Sequence, residues 1–222
     1  MKAMILSAGR GERMRPLSDH QAKPLMKVGK HRLIEHHLFA LKKAGITEVI
    51  INVSYLAQSI MNTLGNGDRY GIQIHYSVED EALETGGGII KALPLLGEAP
   101  FWVINGDVFT DFSFDLKIPD NRFATLLMID NPEHHRQGDF SIEQGDLILP
   151  SKQSLTFSGI GLYKPEFFAD FVGVSHCKLA DIIRANISKQ AISGVHFSGR
   201  WIDVGTPERL AQANKMISVT GT

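Results

Sequence analysis

Glycines and cations near the N-terminus form the stretch of this chain most typical of a chemical site. Gly9 and Gly11 follow a short apolar run over residues 2–6. Four cations lie beside or after them: Arg10, Arg13, Arg15 and Lys23. Glycine permits left-handed backbone angles and lets backbone N–H groups converge on a ligand. Because converging N–H groups and nearby cations bind anions, the stretch predicts a polyphosphate ligand. Residues 6–25 are called the phosphate loop below.

Two other phosphate-binding motifs are excluded by residue spacing. A dinucleotide fingerprint, G-x-G-x-x-G, that starts at Gly9 needs a third glycine where Met14 stands. A P-loop fails as well, because Met14 also occupies its second glycine position and no Gly-Lys pair follows. The spacing therefore argues against an NAD-dependent oxidoreductase, the reading that the first motif would support.

Two aspartates follow predicted buried strands in distant parts of the chain. Asp107 comes soon after the apolar run 101–104, and Asp203 lies in the run W-I-D-V-G-T. In open α/β sheets, ligands bind at the carboxyl ends of the strands. Proteins commonly hold Mg²⁺ with one or two carboxylates, and phosphate oxygens and water complete its shell. Either aspartate alone could be a turn or cap residue, but the pair beside a phosphate loop predicts a Mg²⁺ site.

Composition favours a small-molecule enzyme over a nucleic-acid-binding protein. The chain has 222 residues with 43% hydrophobic content, which is enough for one sizeable core. Its formal net charge of −1 lacks the basic excess of a non-specific nucleic-acid binder. Cys177 is the only cysteine, which fits a reducing compartment, and no apolar run approaches a membrane span or a signal-peptide core. We expect a cytoplasmic protein, a monomer or small homo-oligomer, that binds neither nucleic acid nor membrane.

Hydrophobic periodicity predicts alternating strands and helices through the first half of the chain. Apolar and β-branched runs predict strands at 2–6, 48–53, 72–76 and 101–104, and helical spacing predicts helices at 33–41, 56–64 and 86–95. The second half shows strand patterns at 122–130 and 158–163, a hairpin at 140–149, and helices at 179–188 and 207–217. The alternation predicts an α/β fold: a Rossmann-like three-layer sandwich with a mostly parallel central sheet and a small antiparallel β insertion. No linker interrupts it, so we expect a single domain over residues 1–222.

The spacing G-x-G-x-R-x-x-P-L followed by K-P resembles the sugar-phosphate nucleotidyltransferases. In this chain the motif runs from Gly9 to Pro24. The resemblance implies that the loop binds the triphosphate of an NTP through Ala8, Gly9, Gly11, Glu12, Arg13 and Lys23. It also implies catalytic roles for Arg13, Lys23 and Asp107, with Mg²⁺ bound by Asp107 and Asp203. Ser7 stands where the family usually has alanine.

The same resemblance assigns two further segments to the base and the sugar. Glu79 and Gly86 lie in E-D-E-A-L-E-T-G-G-G, which the family lays over the nucleoside and the sugar. Three glycines at a helix start would also offer N–H donors, and the alternative is that they only mark the start of the helix. Asn105 leans toward the same face as Asp107, and Asp139 follows N-P-E-H-H-R-Q-G; both are expected to bind the sugar, unless the latter run is only a solvated loop.

Within the family, these runs and the short chain are most similar to the uridylyltransferases of bacterial cell-wall recycling that act on N-acetylmuramate 1-phosphate. That similarity implies UTP and a sugar 1-phosphate as substrates, with UDP-N-acetylmuramate and pyrophosphate as products. An ionised Glu79 can only accept hydrogen bonds, which favours uracil over cytosine.

Several alternatives stay open at this stage. One is a nucleotidyltransferase for glucose or heptose 1-phosphate, and another is a phosphocholine cytidylyltransferase. A catalytically silent nucleotide sensor would share the fold, but the presence of Lys23, Asp107 and Asp203 argues against it. We expect Asp107→Ala and Asp203→Ala each to abolish turnover in a folded protein, and Arg13→Ala to weaken NTP use more than Arg10→Ala.

Overall fold

The order of strands and helices follows the alternation predicted from the hydrophobic pattern. A computed structural model describes residues 1–218. The strands are β1 (Lys2–Leu6), β2 (Lys27–Val28), β3 (His31–Arg32), β4 (Glu48–Val53), β5 (Gln73–Val78), β6 (Phe101–Asn105), β7 (Val108–Thr110), β8 (Ala124–Ile129), β9 (Ser141–Glu143), β10 (Asp146–Ile148), β11 (Thr156–Tyr163), β12 (Ile192–Phe197) and β13 (Trp201–Asp203). The α-helices are α1 (Leu33–Lys43), α2 (Ala57–Leu64), α3 (Glu84–Leu96), α4 (Leu179–Ile187) and α5 (Pro207–Ser218). The predicted elements are thus confirmed, whereas strands β2, β3, β7 and β12 were not predicted.

Nine strands form one mixed sheet in the order β5-β4-β1-β6-β11-β8-β12-β10-β9. β5, β4, β1 and β6 run parallel to one another, as predicted. β11 runs antiparallel to both β6 and β8, and the β9–β10 hairpin extends the edge beside β12. The predicted fold class is confirmed, with the antiparallel pairing concentrated in the second half of the chain. Two further antiparallel pairs, β13 with β7 and β2 with β3, lie outside this sheet.

Both faces of the central sheet are covered by helices, and strand β1 shows why. Ala3 and Ile5 point to one face and pack in a cluster with residues of α1 and α2. Met4 points to the opposite face and packs with residues of α3 and α4. Side chains alternate between faces along a strand, so a strand that is apolar at successive positions needs a layer on each side. The result is the three-layer sandwich that the continuous apolar runs predict.

A third apolar cluster connects the elements that carry the candidate site residues. Its members come from the phosphate loop, from β2, β7 and β13, and from α1 and α5: Met14, Met26, Val28, Leu33, Phe109, Ile202, Val204 and Ala213. Met14 is fully buried there. Met14, which stands where the dinucleotide motif needs its third glycine, therefore packs the phosphate loop into this cluster. A glycine has no side chain to fill this space.

His37 is a titratable side chain buried in α1. It is 2% exposed, and desolvation lowers the pKa of its imidazole from 6.5 to about 4. The charge of His36 adds to this effect, and a hydrogen bond with the backbone of Val108 and the charge of Asp107 oppose it. The unfolded chain binds a proton near pH 6.5, whereas the folded protein binds it only near pH 4. Above pH 6.5 His37 is neutral in both states and does not reduce the free energy of unfolding. As the pH drops toward 4, only the unfolded chain binds the proton, so the free energy of unfolding falls by ~3 kcal/mol in all.

We expect His37→Leu to flatten the pH dependence of the free energy of unfolding between about pH 6.5 and about pH 4.5. Urea unfolding without added metal would measure it, and the matched control is His20→Leu, because His20 is exposed. The wild type and the control should both lose stability across this window. A wild-type slope in His37→Leu would show that another group governs the acid sensitivity.

Candidate active site

Two cavities that share a lining residue open at the carboxyl ends of β1 and β6. The inner cavity, about 310 Å³, is lined by residues at the ends of β1, β4 and β6 and by the segment that leads into α3. The loop cavity, about 510 Å³, is lined by Arg10, Gly11, Glu12, Arg13, Lys23 and Gly205. Lys23 lines both cavities, and it is the residue that their linings share within the part of the chain described here. The lining of the inner cavity is largely apolar, and the lining of the loop cavity is rich in cations.

The phosphate loop owes its path to Gly11 and to short 3₁₀ turns. Gly11 has a φ of 66°, a left-handed angle, and Ser18 Oγ donates a hydrogen bond to its carbonyl oxygen over 2.8 Å. Gly9 does not use the left-handed angles that glycine permits, because its φ is not positive. A Cβ on Gly9 would meet no atom within 4 Å, so this glycine instead leaves room in the wall of the inner cavity.

The loop cations differ in their surroundings. Arg10 lies over the ring of Tyr55, with its guanidinium carbon 5.5 Å from the ring centre. Arg13 lies near enough to Asp107 for its charge to lower the pKa of that carboxyl group. Arg15 pairs with Asp19 over 3.1 Å and lines neither cavity. Arg10 and Arg13 both line the loop cavity, so their relative importance stays a prediction.

Lys23 and Asp107 form a short ion pair at the junction of the two cavities. Nζ of Lys23 lies 2.6 Å from Oδ2 of Asp107, and both side chains are mostly buried. Burial alone would raise the pKa of Asp107, but the charge and hydrogen bond of Lys23, with a further contribution from Arg13, hold it below its ordinary value. The carboxylate is therefore ionised at neutral pH.

The structure brings Asp203 beside Asp107, although the two are far apart in sequence. Strands β13 and β7 pair with Asp203 opposite Val108, and the N–H of Val204 donates to the carbonyl oxygen of Asp107 over 2.7 Å. Oδ1 of Asp203 is buried and has no hydrogen-bond partner among residues 1–218, although Nε2 of His134 approaches it to 3.0 Å. A buried carboxylate oxygen without a donor is suited to binding a cation.

Glu79 connects the predicted base-binding segment to the phosphate loop through Asn52. Glu79 is 3% exposed, and its Oε1 accepts a hydrogen bond from Nδ2 of Asn52 over 2.8 Å. Its Oε2 accepts from the N–H of Leu83 over 3.1 Å. Oδ1 of Asn52 accepts in turn from the N–H of Ser7 over 2.8 Å. These bonds fix the orientation of Glu79, which lines the inner cavity, and its contact with the base stays a prediction.

The glycines at the start of α3 serve packing and not N–H donation to a ligand. The N–H groups of Gly86 and Gly87 both donate to the carbonyl oxygen of Cys177, over 2.9 and 3.1 Å. A Cβ on Gly87 would lie 2.4 Å from the carbonyl oxygen of Ser175. The expectation of free donors at Gly86 is therefore wrong, because the segment before α4 occupies them. Glu84 and Thr85, just before, line the inner cavity instead.

The two predicted sugar-binding residues lie in different surroundings. Asn105 lines the inner cavity, and its side chain occupies the space left by Gly159, where a Cβ would be 2.4 Å from Nδ2 of Asn105. Asp139 lines neither cavity. Its carboxylate accepts from the N–H of Phe157 over 2.9 Å and contacts Nε2 of His135 at 3.0 Å. The structure thus gives Asp139 a loop-anchoring role, and its contact with a sugar stays a prediction.

Comparison with known proteins shows the family of this chain. The profile of the nucleotidyl transferase family matches residues 2–125. An N-acetylmuramate alpha-1-phosphate uridylyltransferase from Neisseria meningitidis is 46% identical over 97% of this chain and 98% of the relative. The chain belongs to the nucleotidyl transferase family.

Other relatives of this nucleotidyl transferase differ in the substrate that their names state. A D-glycero-alpha-D-manno-heptose 1-phosphate guanylyltransferase from Campylobacter jejuni is 31% identical, over 94% of this chain and 96% of the relative. A structure from Bacillus anthracis, provisionally described as a glucose-1-phosphate thymidylyltransferase, superimposes with a TM-score of 0.85. It is 24% identical and covers 97% of this chain and 94% of its own, which shows a shared fold.

The transferase carries cavity residues that the sequence pattern did not predict. Among them are Ser7, Asn52, Glu84, Thr85 and Gly205. Asn52 had a detectable signal, because it is a polar residue in the otherwise apolar end of β4. Ser7 also had one, as a departure from the family pattern. The only sequence signal for Thr85 was its position before the glycines at 86–88. The only signal for Gly205 was its position just before the predicted helix at 207–217.

Proposed function

We propose that this transferase joins UTP to N-acetyl-α-muramate 1-phosphate, giving UDP-N-acetylmuramate and pyrophosphate, in bacterial cell-wall recycling. The carrying observation is that Lys23 lines both cavities. The uridine would occupy the inner cavity and the pyrophosphate end of UTP the loop cavity, which places the α-phosphate beside Lys23. The 46% identity to the Neisseria uridylyltransferase supports the choice of both substrates.

In the proposed reaction, an oxygen of the sugar 1-phosphate attacks the α-phosphorus of UTP. A new phosphorus–oxygen bond forms, the bond between the α-phosphorus and its bridge to the β-phosphate breaks, and pyrophosphate leaves with those electrons. Both substrates are anions, so the site has to offset their repulsion and hold the attack in line. Lys23 would neutralise charge at the α-phosphate, and Arg13 with the N–H groups of the loop would hold the leaving pyrophosphate. The sugar phosphate is already ionised at neutral pH, so no protein group has to remove a proton.

We further propose that Asp107 and Asp203 hold Mg²⁺. The fit rests on the buried Oδ1 of Asp203, which has no hydrogen-bond partner in the described residues, and on the ionised carboxylate of Asp107, whose backbone is hydrogen-bonded to the residue after Asp203. No group of three or more potential ligands lies together within residues 1–218. A pair of carboxylates suits Mg²⁺, which takes its remaining oxygens from substrate and water. When bound, Mg²⁺ would neutralise charge on the phosphates.

Glu79 supports uracil as the base and also explains the second candidate function. A carboxylate can accept from N3–H of uracil or from N1–H of guanine, whereas cytosine presents an acceptor at N3. The Campylobacter guanylyltransferase, 31% identical, makes a heptose 1-phosphate with GTP the second candidate. The higher identity of the uridylyltransferase favours UTP.

We also propose that the transferase works in the cytoplasm as a monomer or small homo-oligomer. Its single cysteine, Cys177, is unpaired, as expected for a reducing compartment. Among the helices within residues 1–218, none combines the length and the apolar character needed to cross a membrane.

The test is pyrophosphate release by the purified protein with Mg²⁺, across UTP, GTP and CTP and across four sugar 1-phosphates. The sugars are N-acetylmuramate, N-acetylglucosamine, glucose and D-glycero-D-manno-heptose. We expect UTP with N-acetylmuramate 1-phosphate to have the highest kcat/KM, by about tenfold or more over any other pair. A higher kcat/KM with GTP and the heptose phosphate would favour the second candidate. No pyrophosphate release with any pair would contradict nucleotidyl transfer itself.

A further inference from the structure

Arg209, in the first turn of α5, is a buried cation without a role in the reaction proposed above. It is 8% exposed, and its Nε and Nη2 have no hydrogen-bond partner within residues 1–218. An unpaired guanidinium in the interior is unfavourable unless an opposite charge compensates it. That charge belongs to Asp203, whose Oδ2 lies 3.1 Å from Nη2 of Arg209.

The backbone before α5 is shaped to admit this guanidinium. A Cβ on Gly205 would lie 2.2 Å from Nη2 of Arg209 and 3.3 Å from Oδ2 of Asp203. A side chain at Gly205 would therefore displace the guanidinium of Arg209 from this position. Gly205 also lines the loop cavity, so Arg209 and Asp203 meet directly behind the cavity wall. The start of α5 is held by Thr206, whose Oγ1 accepts from the N–H of Arg209 over 3.4 Å.

The two oxygens of Asp203 face different groups. Oδ2 lies 3.1 Å from Nη2 of Arg209 and Oδ1 lies 3.0 Å from Nε2 of His134, and neither contact has the geometry of a hydrogen bond. The side chain of His134 is 40% exposed and comes from a surface loop, so it does not fix Oδ1 as the buried Arg209 fixes Oδ2. A carboxylate held on one side by a cation presents its other oxygen in a defined direction.

We propose that Arg209 is a positioning residue that orients Asp203 so that Oδ1 is available to Mg²⁺. This rests on the proposed function, in which Asp203 binds the metal. Arg209 acts through Asp203 and does not contact the reacting phosphates. The role of Gly205 is to let the pair form beside the loop cavity.

The test measures UTP binding by calorimetry with Mg²⁺ and with EDTA, without a sugar phosphate, so that no turnover occurs. The readout is the ratio of the UTP dissociation constant in EDTA to that in Mg²⁺. We expect Arg209→Met and Asp203→Asn each to lower this ratio by about tenfold or more, while UTP affinity in EDTA stays within about twofold of wild type. The matched control is Lys215→Met, an exposed cation on the same helix, which should keep the wild-type ratio.

A second variant covers the case in which Arg209→Met does not fold. Arg209→Lys keeps the buried charge but loses the planar fork, so the ratio should fall here as well, by about threefold or more. A wild-type ratio in the folded Arg209 variants, alongside a loss in Asp203→Asn, would overturn the positioning role and leave the proposed function standing. A wild-type ratio in Asp203→Asn would overturn the metal assignment and this inference together. No binding of UTP by the wild type would contradict the proposed function.

Discussion

Asp107→Asn is expected to lower kcat by at least about a hundredfold at saturating UTP and Mg²⁺. Asparagine keeps the shape of the side chain but removes the charge that pairs with Lys23 over 2.6 Å and that the proposed metal needs. Asparagine is a sharper probe than alanine, because alanine would also leave space beside the mostly buried Lys23. Pyrophosphate release measures the effect, and thermal unfolding checks that the variant is folded.

The matched control for this variant is Asp111→Asn. Asp111 directly follows β7, which itself follows Asp107. Its side chain is 40% exposed and pairs with Arg200 over 2.9 Å at the surface. Its kcat should stay within about twofold of wild type, because an exposed ion pair contributes little. A near-wild-type kcat in Asp107→Asn at saturating Mg²⁺ would remove Asp107 from the reaction centre.

The structure also changes how Asp203 should be tested. The sequence-based expectation was that Asp203→Ala would abolish turnover in a folded protein. The pairing with buried Arg209 means that removing Asp203 leaves an uncompensated charge, which typically costs ~3–5 kcal/mol. Asp203→Asn retains a polar partner for Arg209, so a loss of activity in this variant is easier to separate from a loss of stability.

Lys23→Met is expected to lower kcat by about a hundredfold or more, with a smaller change in UTP affinity. Lys23 lines both cavities, so its ammonium lies where charge is proposed to develop during bond exchange at the α-phosphate. Loss of this charge should weaken the transition state more than the ground state. Steady-state kinetics with varied UTP separate kcat from KM, and Lys27→Met, an exposed lysine on β2, is the matched control.

Two outcomes would change the interpretation of Lys23. A higher KM for UTP with an unchanged kcat would mean that Lys23 binds substrate and transition state equally well. Additive losses in the Lys23→Met/Asp107→Asn double variant would mean that the two residues act independently. We expect the double variant to lose less than the sum, because each residue holds the other in place.

Local sequence signals were sufficient for the framework of the site. Successive apolar positions in β1 predict a strand buried on both faces, and such strands need helices on both sides. Because parallel strands carry their carboxyl ends to the same edge, Gly9 after β1 and Asp107 after β6 could be predicted to lie near each other. The motif around Arg13 and Lys23 then indicated phosphate chemistry.

Partnerships between polar groups were decided only by the tertiary structure. Nothing in the residue pattern shows that the carbonyl oxygen of Cys177 accepts hydrogen bonds from the N–H groups of Gly86 and Gly87. Nor does it show that Arg209 pairs with Asp203 beside Gly205. The sequence alone determined which positions are apolar, where strands end and which residues could bind phosphate. The three-dimensional packing decided which donors stay free, because a donor's availability depends on elements distant in sequence that compete with the ligand for it.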